Sequence, residues 1–361
     1  MSDEIYHKLA GVLDTLPNGF PATESGVEIK LLQKVFNPQE ADLFCDLRLT
    51  FETPAEIARR TGRPLEGLLE QLLQMDDHGQ LFSLHFGEDH FFRMMPWVFG
   101  IYEFQLKRLD REFAELNEAF SPFYNQQFIE HSPQLMQTLP IETEIEVGQE
   151  ALPFEQVSNI LENSQSIKVM DCICKKEQGL LDNPCDRPVS VCMAFAPIPG
   201  VFDDNENGRS ISKEEARAII KQAEADGLVH LTSNVQFGHI YICNCCGCCC
   251  GVLRSITRLG MPAWQVVNSF YYAEITPDKC SLCGICADER CQVDAITLGA
   301  ESYEIVPERC IGCGLCITTC EEQAIQLVRK RPEQITLPPP DEATWFKERG
   351  KNRGVDFSQF E

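Results

Sequence analysis

The chain has 361 residues, of which 43% are hydrophobic and 24% are charged, the range of folded proteins with two or three domains. Acidic residues outnumber basic ones by 55 to 31, and the resulting net charge of −24 disfavours binding to nucleic acid or to anionic lipid. No apolar run reaches the roughly 18–20 residues that span a bilayer. The start, MSDEIYHK, lacks the basic and apolar segments of a secretion signal. These features predict a soluble, cytoplasmic protein.

Residues 1–98 predict a helical domain that ends in a β-hairpin. Helices are expected from Pro38 to Leu49, after the capping residue Thr53, and from about Leu65 to Met75. Apolar residues then alternate on both sides of Gly87-Glu88-Asp89, as in two strands joined by a tight turn. This order of helices followed by a hairpin resembles a winged-helix domain.

The charge of this domain argues against DNA as its partner. Residues 1–110 contain ten Lys and Arg but eighteen Asp and Glu. The helix that would enter the major groove, PLEGLLEQLLQMDDHG, has four acidic residues and no basic one. Because affinity for DNA depends on neutralising phosphates, this composition disfavours DNA binding, and a protein–protein module is expected.

Residues 99–150 predict a long helix followed by a linker. Apolar residues from Tyr102 to Phe120 recur alternately four and three positions apart, as in a short coiled-coil seam. Such a helix packs on its own chain or forms a homodimer through residues 102–120, and packing on its own chain is the favoured interpretation. The segment 121–150 is acidic and punctuated by proline, which predicts a domain boundary.

Cysteine is the most informative residue type in the chain. Eighteen of the 19 cysteines lie between Cys172 and Cys320, and the remaining one, Cys45, is expected to be a small buried hydrophobe. The odd number and the adjacent Cys248, Cys249 and Cys250 argue against a disulfide framework. Soft thiolates instead select zinc, copper(I) or iron–sulfur clusters.

An internal repeat carries the strongest motif. ITPDKCSLCGICADERCQVDAITL is followed by IVPERCIGCGLCITTCEEQAIQLV, and each copy has CxxCxxC and then a fourth cysteine. The pair resembles a bacterial-type two-cluster [4Fe–4S] ferredoxin, here over residues 274–330. The resemblance implies that the fourth cysteine of each copy serves the other cluster. One cluster would be held by Cys280, Cys283, Cys286 and Cys320, and the other by Cys310, Cys313, Cys316 and Cys291.

Two features depart from the ferredoxin pattern. Four residues rather than three separate Cys286 from Cys291, and neither fourth cysteine is followed by proline. We expect the added residue to affect the reduction potential of that cluster more than it affects whether the cluster forms. The alternative of two zinc knuckles is disfavoured, because such sites have no use for a third cysteine in each run.

The central segment, residues 151–273, is predicted to be a cysteine-rich α/β domain that binds metal. The simplest division gives one centre to the first four of its cysteines and a second centre to four of the ICNCCGCCC set, although ligands shared between the two segments fit the sequence equally well. This pattern looks like the cysteine-rich centre of anaerobe iron–sulfur proteins that end in a ferredoxin domain. One or two further [4Fe–4S] clusters are expected, with zinc or a CCG-type catalytic cluster as alternatives. The candidate ligands are Cys172, Cys174, Cys185, Cys192, Cys243, Cys245, Cys246, Cys248, Cys249 and Cys250.

Two other segments have weaker signals. DDNENGRSISKE fits the EF-hand calcium loop, but the preceding PIPG cannot supply the incoming helix, so a polar turn before a helix capped by Ser212 is expected. Residues 331–361 are rich in proline and then polar. They predict a tail that lies over the surface or a partner.

Together these observations predict a multidomain α+β protein with a winged-helix-like N-terminal domain, a cysteine-rich centre and a dicluster ferredoxin-like domain. The expected function is electron transfer between redox protein partners, as an accessory oxidoreductase subunit rather than an independent enzyme. A cluster-based redox-sensing regulator and a CCG-type thiol–disulfide reductase are the alternatives.

Overall fold

The computed structural model describes residues 2–145, 151–202 and 208–361. Part of the acidic linker and most of the acidic stretch of the EF-hand-like loop, residues 146–150 and 203–207, lie outside the described residues. The chain divides into two compact units. The first comprises Met1–His131, Gly179–Asn183 and Phe346–Glu361, and the second Ser132–Gln178 and Pro184–Trp345. Helices and strands are both present, so the coarse prediction of an α+β multidomain protein is confirmed.

The first unit is built mainly of helices with one antiparallel hairpin. Its elements up to residue 131 are α1 (Ser2–Thr15), α2 (Val27–Val35), α3 (Pro38–Phe44), α4 (Pro54–Thr61), α5 (Leu68–Asp77), β1 (Leu81–Phe86), β2 (Asp89–Met94) and α6 (Arg111–Ile129).

The start of α4 and the hairpin follow the sequence prediction. Thr53 Oγ1 accepts the amide of Glu56, and Pro54 occupies the first turn, where its missing N–H costs nothing. Strands β1 and β2 pair with Phe86 opposite Asp89, so the turn falls at Gly87-Glu88. Both predictions are confirmed.

Helix α3 ends earlier than predicted, at Phe44 instead of Leu49. The backbone beyond it bonds to other segments: Leu49 N–H donates to the carbonyl of Phe360, and Met94 N–H donates to the carbonyl of Arg48. These long-range hydrogen bonds compete successfully with the continuation of the helix.

The predicted helix over residues 102–120 also begins later, at Arg111. Residues Glu103–Lys107 form a 3₁₀ turn, and the carboxylate of Asp110 accepts the amide of Phe113 as a helix cap. Aromatic side chains of the expected seam pack within their own unit, Phe113 on Trp97 and Phe120 on Phe20. Homodimer formation through this segment stays a prediction.

The second unit is organised by a mixed sheet with the strand order β6-β4-β5-β8-β7-β3-β9 among the described residues. Its strands are β3 (Met136–Leu139), β4 (Ser166–Asp171), β5 (Ser190–Ala196), β6 (Arg209–Ser210), β7 (Val229–Ser233), β8 (Tyr241–Cys245) and β9 (Val267–Asn268). The accompanying helices are α7 (Val157–Asn163), α8 (Ile173–Leu180), α9 (Lys213–Ala225), α10 (Gly251–Thr257) and α11 (Ala263–Val266).

Apolar residues of α7, α9 and the middle strands form one core. Ile167 lies opposite Phe195 in the β4–β5 pair, and Met193 lies opposite Ile242 in the β5–β8 pair. These four side chains are buried together with Ile160. This core fixes the three neighbouring strands that carry several of the central cysteines.

The cysteine repeat follows the sheet and is closed by short strands. They are β10 (Tyr271–Ile275), β11 (Ile296–Leu298), β12 (Tyr303–Ile305) and β13 (Ile325–Arg329). β10 pairs antiparallel with β13, and β11 pairs with β12, so the first and last strands of the repeat lie side by side.

The C-terminal segment is folded into the protein. Helix α12 (Glu342–Arg353) carries Trp345, which is buried and donates its indole N–H to the carbonyl of Gln134 in the second unit. Arg349 is fully buried and donates to the carbonyls of Pro17, Phe128 and His131 in the first unit. A buried guanidinium with three acceptors therefore holds this helix in place, and the expectation that the tail lies over the surface or a partner stays a prediction. None of the helices in the described part of the chain has the length and apolar character that crossing a membrane requires.

Candidate metal centres

The eight cysteines of the repeat lie in two groups that cross between its copies. The Cys286 thiol has Cys283, Cys280 and Cys320 as neighbours. Cys313 and Cys316 both have Cys291 and Cys310 near them. We call these the first ferredoxin group (Cys280, Cys283, Cys286 and Cys320) and the second ferredoxin group (Cys291, Cys310, Cys313 and Cys316).

The backbone around these groups has the features that thiolate-bound clusters need. Gly284 and Gly314, each between the second and third cysteine of a run, have φ of 84°, a conformation that suits glycine. Amide N–H groups also point at the sulfurs, from Ala295 to Cys291 at 3.1 Å and from Ala324 to Cys320 at 3.3 Å. Such hydrogen bonds stabilise thiolates and tune cluster potentials. The residues present fit thiolate-bound [4Fe–4S] clusters.

The extra residue before Cys291 is absorbed by a widened helical turn. Cys286–Arg290 forms a π-type turn, which accommodates one residue more than an α-helical turn. The side chain of the last residue of this turn, Arg290, is buried and donates hydrogen bonds to the carbonyls of Glu224, Ala225 and Leu315. Glu224 and Ala225 are the last two residues of helix α9, and the helix dipole favours a cation at that end. No sequence pattern indicates this contact directly, although the inserted residue lies at this position.

Four central cysteines form a compact group. The Sγ atoms of Cys185, Cys246, Cys248 and Cys249 all lie within 4.8 Å of one another. Individual separations are 3.5 Å for Cys185–Cys248, 3.6 Å for Cys248–Cys249 and 3.8 Å for Cys185–Cys246.

This spacing fits one tetrahedral metal ion. Four thiolates at ~2.3 Å from a single ion stand about 3.8 Å apart. The outer thiolates of a [4Fe–4S] cube stand roughly 6 Å apart, because each lies one Fe–S bond beyond its own iron. The compact group is therefore suited to a single zinc or iron ion rather than to a cube.

A cavity of about 430 Å³ opens beside the compact group and is lined by Cys185 and Cys248. Arg187 and Asp226 line it as well. Arg187 Nη1 lies 4.0 Å from the sulfur of Cys248, and its Nε donates to the backbone carbonyl of Asp226. The compact group is thus reached from solvent past a guanidinium.

The other six central cysteines form a second assembly, which we call the six-thiol group (Cys172, Cys174, Cys192, Cys243, Cys245 and Cys250). Hydrogen-bond contacts link Cys174 to Cys172 and Cys172 to Cys192. They continue from Cys192 to Cys243, from Cys243 to Cys245, and from Cys245 to Cys250. Cys250 and Cys245 also neighbour Cys174, and Cys172 lies near all five other thiols of the set.

Strand order places these cysteines together. Cys172 follows β4, Cys192 lies in β5, and Cys243 and Cys245 lie in β8, and these three strands are neighbours in the sheet. Met170 pairs with Cys192, and Met193 pairs with Ile242, so the cysteine-bearing ends coincide. The division differs from the simplest one expected from the sequence, because Cys185 joins the second segment and the second segment contributes to both assemblies.

Electrostatics distinguish individual thiols within the two assemblies. Hydrogen bonds from Cys174 and Cys192 hold the pKa of Cys172 well below its ordinary range. A hydrogen bond from Cys249 lowers the pKa of Cys246 to about 5. The ammonium of Lys175, a residue that is 4% exposed, favours the thiolate form of both cysteines. The sequence does not single out Lys175, because a lysine beside a cysteine is common and carries no metal-binding signal by itself.

Comparison with known proteins identifies part of this region. The family model described as the 4Fe-4S binding domain matches residues 303–326, which include Cys310, Cys313, Cys316 and Cys320. No curated protein matches the chain, and neither does any solved structure. The match supports a ferredoxin-type iron–sulfur domain near the C-terminus with at least one [4Fe–4S] cluster. The remaining cysteines are in keeping with more than one.

Proposed function

We propose that the chain is an iron–sulfur electron-transfer protein that acts as an accessory subunit between redox partners. The ferredoxin groups would hold two [4Fe–4S] clusters within residues 274–330, and the central cysteines would hold further metal. Bound clusters of this kind accept and donate single electrons with little rearrangement. The residues of the chain hold the ligand loops at fixed positions relative to one another.

One contact between ligand loops carries this proposal. Gly247 lies between Cys246 and Cys248 of the compact group, and its N–H donates to the side-chain carbonyl of Gln292 at 3.0 Å. Gln292 directly follows Cys291 of the second ferredoxin group. A single hydrogen bond therefore connects residues adjacent to ligands in both regions.

The loop that carries Gly247 and the loop that carries Gln292 are in close contact. A Cβ atom at Gly247 would stand 2.1 Å from the backbone oxygen of Gln292, far inside van der Waals contact. Arg290, on the other side of Cys291, is bonded to the end of α9. The segment 290–292 is thus anchored on both sides of a predicted ligand, which favours electron transfer between the two regions over two independent metal sites.

The N-terminal region, residues 1–98, is proposed as a winged-helix-like docking module for a protein partner. Of the arginines near the expected recognition helix, Arg60 pairs with Glu52, and Arg63 pairs with Asp42 and Asp46. These pairs leave less positive charge for phosphates, in agreement with the acidic composition. A DNA-binding redox sensor is accordingly less favoured.

Freeze-quench spectroscopy tests the proposal. Anaerobic protein would be mixed with a substoichiometric reductant, and the distribution of electrons between the ferredoxin and central centres would be followed in time. Replacing Gln292 with Leu should slow this redistribution, since the hydrogen bond to Gly247 is lost. Gln326→Leu is the matched control, because Gln326 bonds to the exposed Glu274 outside the central region. Absence of iron from the repeat, or equal rates in both variants, would contradict the proposal.

A further inference from the structure

The compact group has a buried side and a side that faces a cavity. Cys246 is 1% exposed and Cys249 is 3% exposed. Cys185 and Cys248, which we call the cavity pair, are half-buried and line the cavity of about 430 Å³. A small molecule that enters this cavity therefore meets the sulfurs of the cavity pair before the other two.

The two sulfurs of the cavity pair are close enough to form a disulfide after a small movement. They lie 3.5 Å apart, and a disulfide bond is ~2.05 Å long, so each sulfur has to move by less than about 1 Å. The sulfurs of Cys248 and Cys249 are 3.6 Å apart, but these cysteines are adjacent in sequence, where the geometry of a disulfide is rarely met. The cavity pair is thus favoured both by access and by geometry.

The segment that carries Cys185 has room for this movement. Residues 184–188 lie outside the helices and strands, between α8 and β5. The segment is held beyond Cys185, where Arg187 Nε donates to the carbonyl of Asp226 and Lys175 Nζ donates to the carbonyl of Pro188. A shift of the Cys185 side chain towards Cys248 therefore breaks no strand pairing. Because metal binding deprotonates its thiol ligands, both sulfurs are thiolates and hence nucleophiles when the compact group is loaded.

The charge around the cavity selects the kind of molecule that enters it. The carboxylates of Asp186 and Asp226 line the cavity together with one guanidinium, that of Arg187. Four thiolates around one divalent ion leave a net charge of about −2 in addition. This surplus of negative charge favours a neutral or cationic molecule over an anion.

We propose that the cavity pair is a two-electron redox site that reacts with small neutral or cationic disulfides. One thiolate of the pair attacks a sulfur of the disulfide, whose S–S bond breaks, so that a mixed disulfide forms and one small thiolate leaves. The second thiolate of the pair then attacks the protein sulfur of the mixed disulfide, forms the bond between Cys185 and Cys248, and expels the second small thiolate. The pair loses two electrons, and the small disulfide gains them.

This reaction removes two of the four ligands from the ion in the compact group. Cys246 and Cys249 alone hold a metal ion more weakly than four thiolates do, so the ion is released. The chemistry lies beyond the proposed electron transfer and depends only on the assignment of metal to the compact group.

Metal release from the full chain tests this proposal. Anaerobically purified protein would be mixed with cystamine, a small cationic disulfide, in the presence of a chromogenic chelator for zinc and iron. One ion per chain should be released, and the visible absorbance of the ferredoxin groups should stay constant. Peptide mass spectrometry after alkylation should then show the disulfide between Cys185 and Cys248.

Variants test the charge preference of the cavity. The rate with cystamine would be divided by the rate with dithiodiglycolate, a small anionic disulfide. This ratio should fall several-fold in Asp186→Asn, which removes an exposed carboxylate from the cavity lining. Asp278→Asn, which removes an exposed carboxylate elsewhere, should leave the ratio unchanged.

Three results would overturn the proposal. They are retention of the ion in cystamine, a disulfide between other cysteines, and release of iron only together with bleaching of the ferredoxin absorbance. All three are read from the unmodified chain, so none depends on a variant that must fold. Failure of the electron-transfer proposal is separately visible, because Cys283→Ser would then leave the iron content unchanged.

Discussion

The anchoring of the second ferredoxin group by Arg290 can be tested by replacing that residue with Met, which keeps the apolar stem and removes the guanidinium. The side chain donates to the carbonyls of Glu224 at 2.7 Å and Ala225 at 2.8 Å, to the Thr318 hydroxyl at 2.9 Å, and to the Leu315 carbonyl at 3.2 Å. Hydrogen bonds from a charged donor contribute roughly 1.5–3 kcal/mol each.

The net effect is smaller than the sum of these bonds. Burial of the guanidinium carries a desolvation cost of several kcal/mol, and the same burial lowers the pKa of Arg290. We therefore expect Arg290→Met to reduce the free energy of unfolding by about 2–4 kcal/mol. Anaerobic urea unfolding, followed by the visible absorbance of the clusters, measures the change.

Arg309→Met is the matched control for this experiment. Arg309 is an arginine of the same repeat that makes one exposed hydrogen bond, at 3.3 Å to the carbonyl of Asp294. Its replacement should cost under about 0.5 kcal/mol, as for most surface positions. A loss below about 1 kcal/mol for Arg290→Met would refute the view that this side chain anchors the ferredoxin region.

Further predictions concern single positions. Cys320→Ala should alter the spectrum of the first ferredoxin group and spare the second; damage confined to the second would mean that ligands do not cross. Cys246→Ser should release one zinc or one iron, by metal analysis, whereas a loss of four irons would show a cube in the compact group. Gly247→Ala should destabilise the chain by roughly 1–3 kcal/mol in urea unfolding, because the added Cβ meets the Gln292 oxygen; an unchanged midpoint would contradict that contact. Cys45 should resist iodoacetamide at pH 8 in the folded protein, since burial raises its pKa to about 12, and rapid labelling seen by mass spectrometry would show the thiol to be accessible.

Local signals in the sequence were sufficient for features that depend on a few neighbouring residues. Thr53 with Pro54 predicts the start of α4, and Gly87 predicts the hairpin turn, because capping and turn formation are decided within one or two turns of chain. The 4Fe–4S character of the C-terminal repeat likewise follows from cysteine spacing.

The division of the central cysteines required the order of strands. Cys185 lies between Cys174 and Cys192 in the sequence, yet it belongs to the compact group while Cys174 and Cys192 belong to the six-thiol group. That outcome depends on β4, β5 and β8 lying side by side, a long-range pairing that periodicity does not determine. The late start of α6 has a local cause, which is the capping residue Asp110. This cap is visible in the sequence, but the apolar residues of the seam begin at Tyr102 and predict an earlier start.

The buried Arg349 has a consequence for the order in which the chain folds during synthesis. Its partners, the carbonyls of Pro17, Phe128 and His131, are translated more than two hundred residues before it. Domains usually fold as they leave the ribosome, from the N-terminus onward. Here the first unit stays incomplete until α12 has emerged, by which time every cysteine of the second unit has already left the ribosome.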